Sequence, residues 1–238
     1  MCIRDRNNTI GPYCVLNGDV EIGNNNIFEA GIVTDHQVKI GNDCKFYPYV
    51  SLGFAGEMGA KGDKLPEGKG VEIGNGVTIR EFVNVHAPFW WENTKIGDGS
   101  YIMNKSYIAH DCQIGQNVLI NAGVKLGGRA VIQDFANVGM GATVHQRSVV
   151  GENAMVGMNA VVKRHIPPFA VVAGVPTRIL KFNFIGAKRR GYNLKYVEEI
   201  QKNFLNIIFK PSNRIGEIEG KIQTFLELHP NALKTFRS

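Results

Sequence analysis

Six histidines are the side chains of this chain whose pKa values lie close enough to neutrality to move protons in a reaction. His110 is directly followed by Asp111, a residue that holds or stabilises an imidazole ring when the two side chains meet. Neighbouring residues of a strand point to opposite faces, however, so adjacency alone does not establish such a pair. A lone histidine more often makes a structural hydrogen bond, and we interpret His36, His165 and His229 as structural or surface residues.

The sequence offers little support for metal or redox chemistry. No two histidines are five residues apart, a spacing that the zinc ligands of the trimeric β-helix carbonic anhydrases require, so we exclude that class and predict no metal or other cofactor. Cys2, Cys14, Cys44 and Cys112 form no C-x-x-C pair and predict reduced thiols. We recognise no signal peptide and no apolar run of transmembrane length, and we predict a cytoplasmic protein.

An aliphatic residue recurs at every sixth position through the centre of the chain. The uninterrupted series is Ile96, Ile102, Ile108, Ile114, Ile120, Leu126, Ile132, Val138, Val144, Val150, Val156 and Val162. A period of six fits neither a helix nor a single strand, and is typical of a chain wound into a three-sided parallel β-helix. The same phase continues earlier in the chain, with Thr34 as its weak member, at Ile10, Leu16, Ile22, Phe28, Ile40, Phe46, Leu52, Ile73, Ile79 and Val85.

The hexads are interrupted twice, at residues 53–70 and 86–95, and we predict that both segments are loop excursions from the coil. Long loops on a rigid scaffold often carry function, and the second one contains Pro88-Phe89-Trp90-Trp91. We therefore predict a β-helix domain at residues 7–180. The first six residues do not follow the hexads, and we expect them to be foreign to the fold, at a truncated or altered start.

Residues 181–238 have helical spacing and predict a C-terminal α-helical domain. Asn193 and Ser212 are the predicted N-caps of two helices, which Pro211 separates. The predicted apolar faces are Leu194, Val197, Ile200, Phe204, Ile207 and Ile208 in the first helix, and Ile215, Ile218, Ile222, Phe225 and Leu226 in the second.

Charge divides at the same boundary. Residues 1–180 carry 16 basic and 16 acidic side chains, whereas residues 181–238 carry 11 and 5, so the net charge of +6 lies in the helical part. A basic surface attracts acidic partners. No nucleic-acid motif is visible, which favours an acidic protein partner, although a merely solvated basic face fits the charge equally well.

Three segments together resemble one enzyme family: residues 107–112 (YIAHDC), 139–146 (GMGATVHQ) and 186–192 (GAKRRGY). They are similar to the acyl-carrier-protein-dependent UDP-N-acetylglucosamine O-acyltransferases of lipid A biosynthesis, and the similarity covers about residues 10–238. The resemblance implies a left-handed β-helix that forms a homotrimer with active sites in the clefts between neighbouring coils. It also implies transfer of a 3-hydroxyacyl chain from acyl carrier protein, an acidic partner, to the 3-hydroxyl of the sugar nucleotide.

The resemblance further implies roles for single residues. His110 is the expected general base, Asp111 its supporting carboxylate, and the backbone N–H of Gly128 the oxyanion donor. The expected substrate contacts are His86, Tyr107, Arg129, His145, Gln146, Asn183, Arg189 and Arg190, with Asp63 and Lys64 of the first excursion as looser counterparts. Arg190 suits a diphosphate, although the two arginines also fit simple caps at the C-terminus of a short helix.

Several residues depart from the family pattern. Tyr107 and Arg129 stand where histidines are usual, and residues 87–89 (APF) replace an R-G-T segment. Ile185 replaces an acidic residue near the expected uridine site. These changes favour the same chemistry on a changed sugar nucleotide.

Met158 matches the floor of the family's acyl groove. A methionine fills space that a glycine leaves open, so we expect a shorter donor chain, of roughly ten carbons in place of fourteen. The alternative is that Met158 packs in the interior of the trimer.

Other activities suit the same scaffold. An N-acyltransferase acting on a UDP-amino sugar would use the same base and fold. Gly174-Val175-Pro176 resembles a motif of acetyl-CoA-dependent hexapeptide transferases, but the basic helical extension argues for a carrier protein instead. A β-helix that serves only as a scaffold or binding module would leave His110 and Gly128 unexplained.

Overall fold

The computed structural model describes residues 2–3, 7–56, 69–90, 93–209 and 216–235. Most of the strands within these ranges are two residues long. In chain order they are β1 (Cys2–Ile3), β2 (Thr9–Ile10), β3 (Val15–Leu16), β4 (Asp19–Ile22), β5 (Ile27–Phe28), β6 (Val33–Thr34), β7 (Gln37–Ile40), β8 (Lys45–Phe46), β9 (Ser51–Phe54), β10 (Gly70–Ile73), β11 (Thr78–Ile79), β12 (Asn84–His86), β13 (Thr94–Ile96), β14 (Tyr101–Ile102), β15 (Tyr107–Ile108), β16 (Gln113–Ile114), β17 (Leu119–Ile120), β18 (Lys125–Leu126), β19 (Val131–Ile132), β20 (Asn137–Val138), β21 (Thr143–Val144), β22 (Val149–Val150), β23 (Met155–Val156), β24 (Val161–Val162), β25 (Ala170–Ala173) and β26 (Arg178–Phe182).

These strands stack into three sheets that form the sides of one coil. Sheet I has the order β1-β4-β7-β10-β13-β16-β19-β22, sheet II the order β2-β5-β8-β11-β14-β17-β20-β23-β25-β26, and sheet III the order β3-β6-β9-β12-β15-β18-β21-β24. The pairing is parallel until β26, which folds back antiparallel on β25. Ile108 pairs with Leu126, which is eighteen residues later, so one turn of the coil takes three hexads. The predicted parallel β-helix is therefore confirmed.

The interior of the coil is a stack of the predicted aliphatic side chains. From Ile96 to Val162 every member of the series is at most 3% exposed. Ile10, by contrast, is 42% exposed in the first strand of sheet II. From Thr94 to Ala160 the residue two places before each aliphatic is also buried, as at Ser100 and Ala130, because it turns into the narrow corner of the coil.

The coil has three corners, which we call III–I, I–II and II–III after the sheets that meet there. Both excursions leave at the III–I corner, between β9 and β10 and between β12 and β13. Val38 pairs with Val71 and Val71 with Thr94, so these turns take 33 and 23 residues instead of 18. Strands extend into both predicted excursions, to Phe54 and from Gly70 in the first, and to His86 and from Thr94 in the second.

The helices are α1 (Phe184–Arg189), α2 (Leu194–Phe209) and α3 (Glu217–Leu228), followed by a 3-10 turn at Ala232–Thr235. Asn193 accepts a hydrogen bond from the Tyr196 N–H at 3.3 Å, as its predicted capping role requires. Leu194 is 46% exposed, so its assignment to the buried face was wrong. Pro211, Ser212 and Ile215 lie outside the described residues.

Helix α3 and the 3-10 turn pack on the outer face of sheet I, whereas α2 contacts β26 of sheet II. Val149 of the coil lies in one apolar cluster with Phe225 and Ala232. Beside it the rings of His165 and His229 stack at 4.3 Å, and burial lowers the pKa of both imidazoles. The two histidines thus pack together between the coil and the helical part.

Two predicted boundaries need correction. The division between residues 180 and 181 falls inside β26, which remains paired to the coil as far as Phe182. Cys2 pairs with Glu21 and Ile3 with Ile22, so this part of the start joins sheet I and is not foreign to the fold. None of the helices in the described ranges is both long enough and apolar enough to span a membrane.

Candidate functional site

The III–I corner gathers histidines from several turns of the coil. His110 follows β15 at this corner, and His36, His86, His145 and His165 occupy it in other turns. The two excursions leave from the same corner in the turns just before His110. The corner therefore combines candidate proton-transfer groups with irregular backbone that lines them.

His110 and Asp111 form a contact despite being adjacent in sequence. Both lie in the turn after β15, and Asp111 adopts a left-handed backbone conformation with φ 60°. The alternation of side chains along a strand does not apply there, and His110 Nδ1 lies 2.7 Å from Asp111 Oδ2. The two side chains are only 15% and 5% exposed, so the pair is shielded from water.

The second excursion supplies further partners to Asp111. The backbone N–H groups of Phe89 and Trp90 donate to Oδ2 and Oδ1, each at 3.1 Å, and the Asp111 N–H donates to Thr94 Oγ1 at 2.9 Å. Burial acts to raise the pKa of Asp111, but the hydrogen bonds from His110 and from the two amides outweigh it and lower that pKa. Asp111 is therefore an anion that accepts at both oxygens.

Gly128 lies directly against the edge of the His110 ring. A Cβ placed on Gly128 would be 2.4 Å from both Cε1 and Nε2 of His110, a distance that no side chain tolerates. Among the described residues, no acceptor pairs with the Gly128 N–H, whereas its carbonyl accepts from Arg147 N–H. The absence of a side chain thus brings this backbone beside the nitrogen that faces away from Asp111.

Aromatic side chains form the wall around this pair. The Phe89 ring centre is 6.3 Å from that of His110, and Trp90 packs edge-on against Phe89 at 4.8 Å. The Arg129 guanidinium lies 5.2 Å from the centre of the Trp90 ring. Two of the residues that depart from the family pattern, Phe89 and Arg129, therefore both contact Trp90, and Phe89 also lies beside the candidate base.

Other predicted contact residues lie at the same corner. His86 is within hydrogen-bonding distance of the Ala55 carbonyl, at 3.0 Å from Nδ1, and its ring packs against Tyr107 at 4.9 Å. His145 and Gln146 are exposed in the turn that follows Gly128, and His145 Nδ1 lies 3.0 Å from the Gln146 carbonyl. These side chains line one continuous strip of surface.

Three predicted residues lie at the I–II corner instead. The Asn183 amide accepts from the Gly186 N–H at 3.0 Å and donates to the Asn153 carbonyl at 2.8 Å, so it fastens α1 to the coil. The Arg190 guanidinium lies over the Phe135 ring at 3.3 Å from its centre, and Arg189 is exposed at the end of α1. Within one chain the structure does not bring these residues together with His110.

The remaining predicted residues lie elsewhere. Met158 occupies the II–III corner, where it is 71% exposed. Asp63 and Lys64 lie outside the described residues.

In the part of the chain that is described, no group of three or more His, Cys, Asp or Glu side chains is placed to hold a metal ion. Burial raises the pKa of the Cys44 thiol to about 11 and that of Cys112 to about 12.

Comparison with known proteins identifies the family. A family profile described as bacterial transferase hexapeptide (six repeats) matches residues 93–128. The chain is 34% identical, over 96% of its own length and 88% of the relative's, to the acyl-(acyl-carrier-protein)–UDP-N-acetylglucosamine O-acyltransferase of Thermodesulfovibrio yellowstonii. The chain belongs to this O-acyltransferase family. The enzyme of the same name from Campylobacter concisus is 31% identical, over 82% of this chain and 74% of that protein.

A solved structure agrees with the family assignment. The UDP-N-acetylglucosamine acyltransferase from Campylobacter jejuni superposes with a TM-score of 0.80 at 26% identity, and the match covers 94% of this chain and 93% of that one. The predicted left-handed β-helix class with a C-terminal helical extension is thereby confirmed for this O-acyltransferase.

Sequence reasoning missed four residues of this site. Gly56 lies over the His110 side chain, since a Cβ there would be 3.1 Å from that of His110. Phe89 and Trp90 act through backbone N–H groups, which side-chain patterns do not report. Thr94 could have been found from the sequence, because it occupies the buried position two places before Ile96 and carries a hydroxyl there.

Substitution of the two glycines tests how tightly His110 is packed. Gly128→Ala forces the imidazole away from its place, because the new methyl group overlaps Cε1 and Nε2. We expect a loss of activity on the order of 10²-fold, the typical result of moving a reacting group by about 1 Å. Gly56→Ala is the milder control, since its nearest contact is 3.1 Å. Equal activities of the two variants, measured at matched thermal stability, would contradict this geometry.

Proposed function

We propose that this enzyme transfers a 3-hydroxyacyl chain from acyl carrier protein to the 3-hydroxyl of UDP-N-acetylglucosamine or a close derivative, the first step of lipid A biosynthesis. The observation that carries the proposal is the His110 ring, held between the Asp111 carboxylate and the backbone of Gly128. The names of the related enzymes support the donor and the acceptor class.

In the first step His110 acts as general base. Asp111 is ionised, and its carboxylate accepts a hydrogen bond from the Nδ1–H group of His110. Nε2 therefore carries the lone pair, on the side of Gly128. Nε2 removes the proton of the sugar 3-hydroxyl while that oxygen attacks the thioester carbonyl carbon. The imidazolium that forms is stabilised by the carboxylate on its other side.

In the second step the tetrahedral intermediate collapses. Its oxyanion lies within reach of the Gly128 N–H, which has no acceptor among the described residues and is therefore available to donate. The carbon–sulfur bond breaks, and the carrier thiolate leaves with the proton that His110 Nε2 holds. The products are the ester and the free carrier thiol, and His110 is again neutral.

A trimer would complete the site. The candidate base lies at the III–I corner and Asn183 and Arg190 at the I–II corner, so one side of the coil separates them. A side of about six residues spans up to roughly 20 Å, too far for both groups to share one end of a substrate. In a homotrimer the I–II corner of one chain contributes the nucleotide contacts to the base of its neighbour.

An apolar stripe supports such an assembly. Four exposed apolar side chains follow the II–III corner down the coil: Tyr13, Tyr49, Phe82 and Met140. An exposed apolar surface of this kind is typical of an interface between protein chains. The stripe is the surface that we expect neighbouring coils to cover.

The basic helical extension suits the acidic carrier protein, and Cys14, Cys44 and Cys112 are free thiols, as expected of a cytoplasmic protein. Phe89 and Arg129, which depart from the family pattern, change the surroundings of the candidate base. This change favours a modified acceptor, such as a UDP-amino sugar that would accept the chain on nitrogen. Purified enzyme supplied with acyl carrier protein and either acceptor, with the product identified as an ester or an amide, distinguishes these two activities.

Removal of the base is the first test. His110→Ala should lower kcat on the order of 10²–10⁴-fold, the usual cost of losing a general base, and should leave the oligomer intact. His36→Ala is the matched control, because His36 contacts the Gly53 carbonyl at the same corner but lies outside the site. Activity of the His110 variant within a few-fold of wild type would remove this residue from the mechanism.

The carrier contact should depend on the charge of α1. Lys188→Glu with Arg189→Glu should raise KM for acyl carrier protein by a larger factor than KM for the sugar nucleotide, which Arg189 is expected to contact, and the wild-type KM for the carrier protein should rise with salt. Lys195→Glu with Lys202→Glu makes the same net change on α2 and is the control. A wild-type KM that is flat between low and high salt, or equal effects of both pairs, would contradict this contact.

Chain length should respond to Met158. Met158→Gly should shift the preferred acyl donor toward longer chains without changing KM for the acceptor. The glycine opens space in the groove, and burial of each additional methylene there stabilises the bound donor by about 0.8 kcal/mol. Met155→Ala removes an exposed methionine from sheet II of the same turn and serves as the control. An unchanged chain-length profile with a lower melting temperature would place Met158 in the trimer interior instead.

A further inference from the structure

Asp111 is enclosed by the second excursion. Phe89 and Trp90 lie about one turn of the coil before Asp111 in the sequence. Their backbone N–H groups donate hydrogen bonds to its two carboxylate oxygens at 3.1 Å. Where the excursion returns to the coil at β13, the Thr94 hydroxyl accepts the Asp111 backbone N–H at 2.9 Å. The excursion therefore contacts both the side chain and the backbone of this one residue.

These contacts are ones that the carboxylate needs. The Asp111 side chain is 5% exposed, and a buried carboxylate is stable only when protein groups replace the hydrogen bonds of water. Without the excursion, His110 would be its single donor in the described part of the chain. An anion with one donor either takes up a proton or turns toward water, and in both cases it stops holding the ring.

The consequence for His110 is a choice of tautomer. An ionised carboxylate only accepts, so the proton of a neutral imidazole must lie on Nδ1 while the contact of 2.7 Å persists. Nε2 then carries the lone pair at the edge of the ring that packs on Gly128. Without the carboxylate the two tautomers exchange, and the ring has another orientation to adopt.

We propose that Phe89, Trp90 and Thr94 of the second excursion position the general base, because the amides of Phe89 and Trp90 and the hydroxyl of Thr94 fix Asp111, whose carboxylate sets the tautomer and orientation of His110. This inference rests on the proposed role of His110. Phe89, Trp90 and Thr94 are positioning residues in this account, since they act on Asp111 and not on the reacting atoms.

The backbone origin of two of the contacts explains a feature of the sequence. Residues 87–89 (APF) replace the family's R-G-T segment, yet the N–H groups that reach Asp111 do not depend on side-chain type. Pro88 lacks an N–H, but it lies just before the first donor and takes no part in the contact. The wall of the site can therefore change while the support of the base remains.

The first experiment uses Thr94, where a hydroxyl can be removed at constant shape. Thr94→Val leaves the Asp111 N–H without its acceptor, whereas Thr94→Ser keeps one. Nitrogen NMR of the free protein labelled at histidine distinguishes Nδ1–H from Nε2–H imidazole without any substrate. We expect the Nδ1–H form of His110 in the wild type and in Thr94→Ser, and a mixture in Thr94→Val.

The kinetic result should match. Thr94→Val should lower kcat on the order of 10- to 100-fold, with KM for both substrates within two- to three-fold of wild type, because binding groups are untouched and only the base is misplaced. A purely structural role of Thr94 would instead lower the melting temperature and leave kcat and the tautomer unchanged.

A second pair tests the amides. Trp90→Pro removes the N–H that donates to Oδ1, and Trp90→Ala removes the indole but keeps that N–H. We expect the tautomer to change in the first variant only. If Trp90→Pro lowers the melting temperature strongly, the Thr94 pair decides the question.

Three results would overturn the inference: an Nε2–H imidazole in the wild type, wild-type behaviour of Thr94→Val, or equal losses in Thr94→Val and Thr94→Ser. None of them is the same as failure of the proposed function. That failure would appear as absence of acyl transfer by the wild type, and the tautomer measurement stands independently of it.

Discussion

The backbone hydrogen bonds that stack each turn of the coil on the next are the constraint on which the rest of this structure depends. Arg129 N–H donates to the His110 carbonyl and Arg147 N–H to the Gly128 carbonyl, each at 3.0 Å, so residues near one corner follow one another at intervals of eighteen. Parallel strands lie about 4.8 Å apart, which leaves little room between side chains on successive turns. An imidazole at position 110 therefore requires a residue without a side chain at position 128.

The same stacking decides where irregular chain is tolerated. A strand inside the coil is hydrogen-bonded on both sides, so an insertion is accommodated at a corner, where it does not interrupt the ladders. Both excursions use the III–I corner, and the second one returns its amides to Asp111. The helical extension is attached at the I–II corner, where Asn183 and Arg190 hold α1 against the coil. The candidate base, the residues proposed to contact the nucleotide and the apolar stripe thus lie at three different corners of the coil.

The coil itself was predictable because its cause is local and repeated. Each hexad places one aliphatic side chain on the axis, and a failure at Thr34 or an interruption of the series shows directly in the sequence. His110 and Gly128 were singled out because residues 107–112 and 139–146 resemble motifs of the O-acyltransferase family, whereas the repeat alone would have left His110 as a structural histidine.

The parts that could not be predicted depend on contacts between segments. Phe89 and Trp90 reach Asp111 through backbone groups, so no residue type marks the contact. Strand alternation predicted that the side chains of His110 and Asp111 point apart, and this was wrong because Asp111 has a left-handed backbone conformation. The residue type of Asp111 does not reveal that conformation. Leu194 fits the helical period but lies at the first turn of α2, where tertiary packing does not cover it.

In the proposed trimer, His110 from one corner and Arg190 from another corner of the neighbouring chain meet in one site, so trimers that mix two inactive variants should regain activity. His110→Ala and Arg190→Ala chains are each expected to be nearly inactive alone. When they are refolded together in equal amounts, sites that combine the intact His110 of one chain with the intact Arg190 of its neighbour should form in about one quarter of cases, so activity should recover to about one quarter of wild type. Mixed trimers that stay as inactive as the two parents would show that each site is built within a single chain.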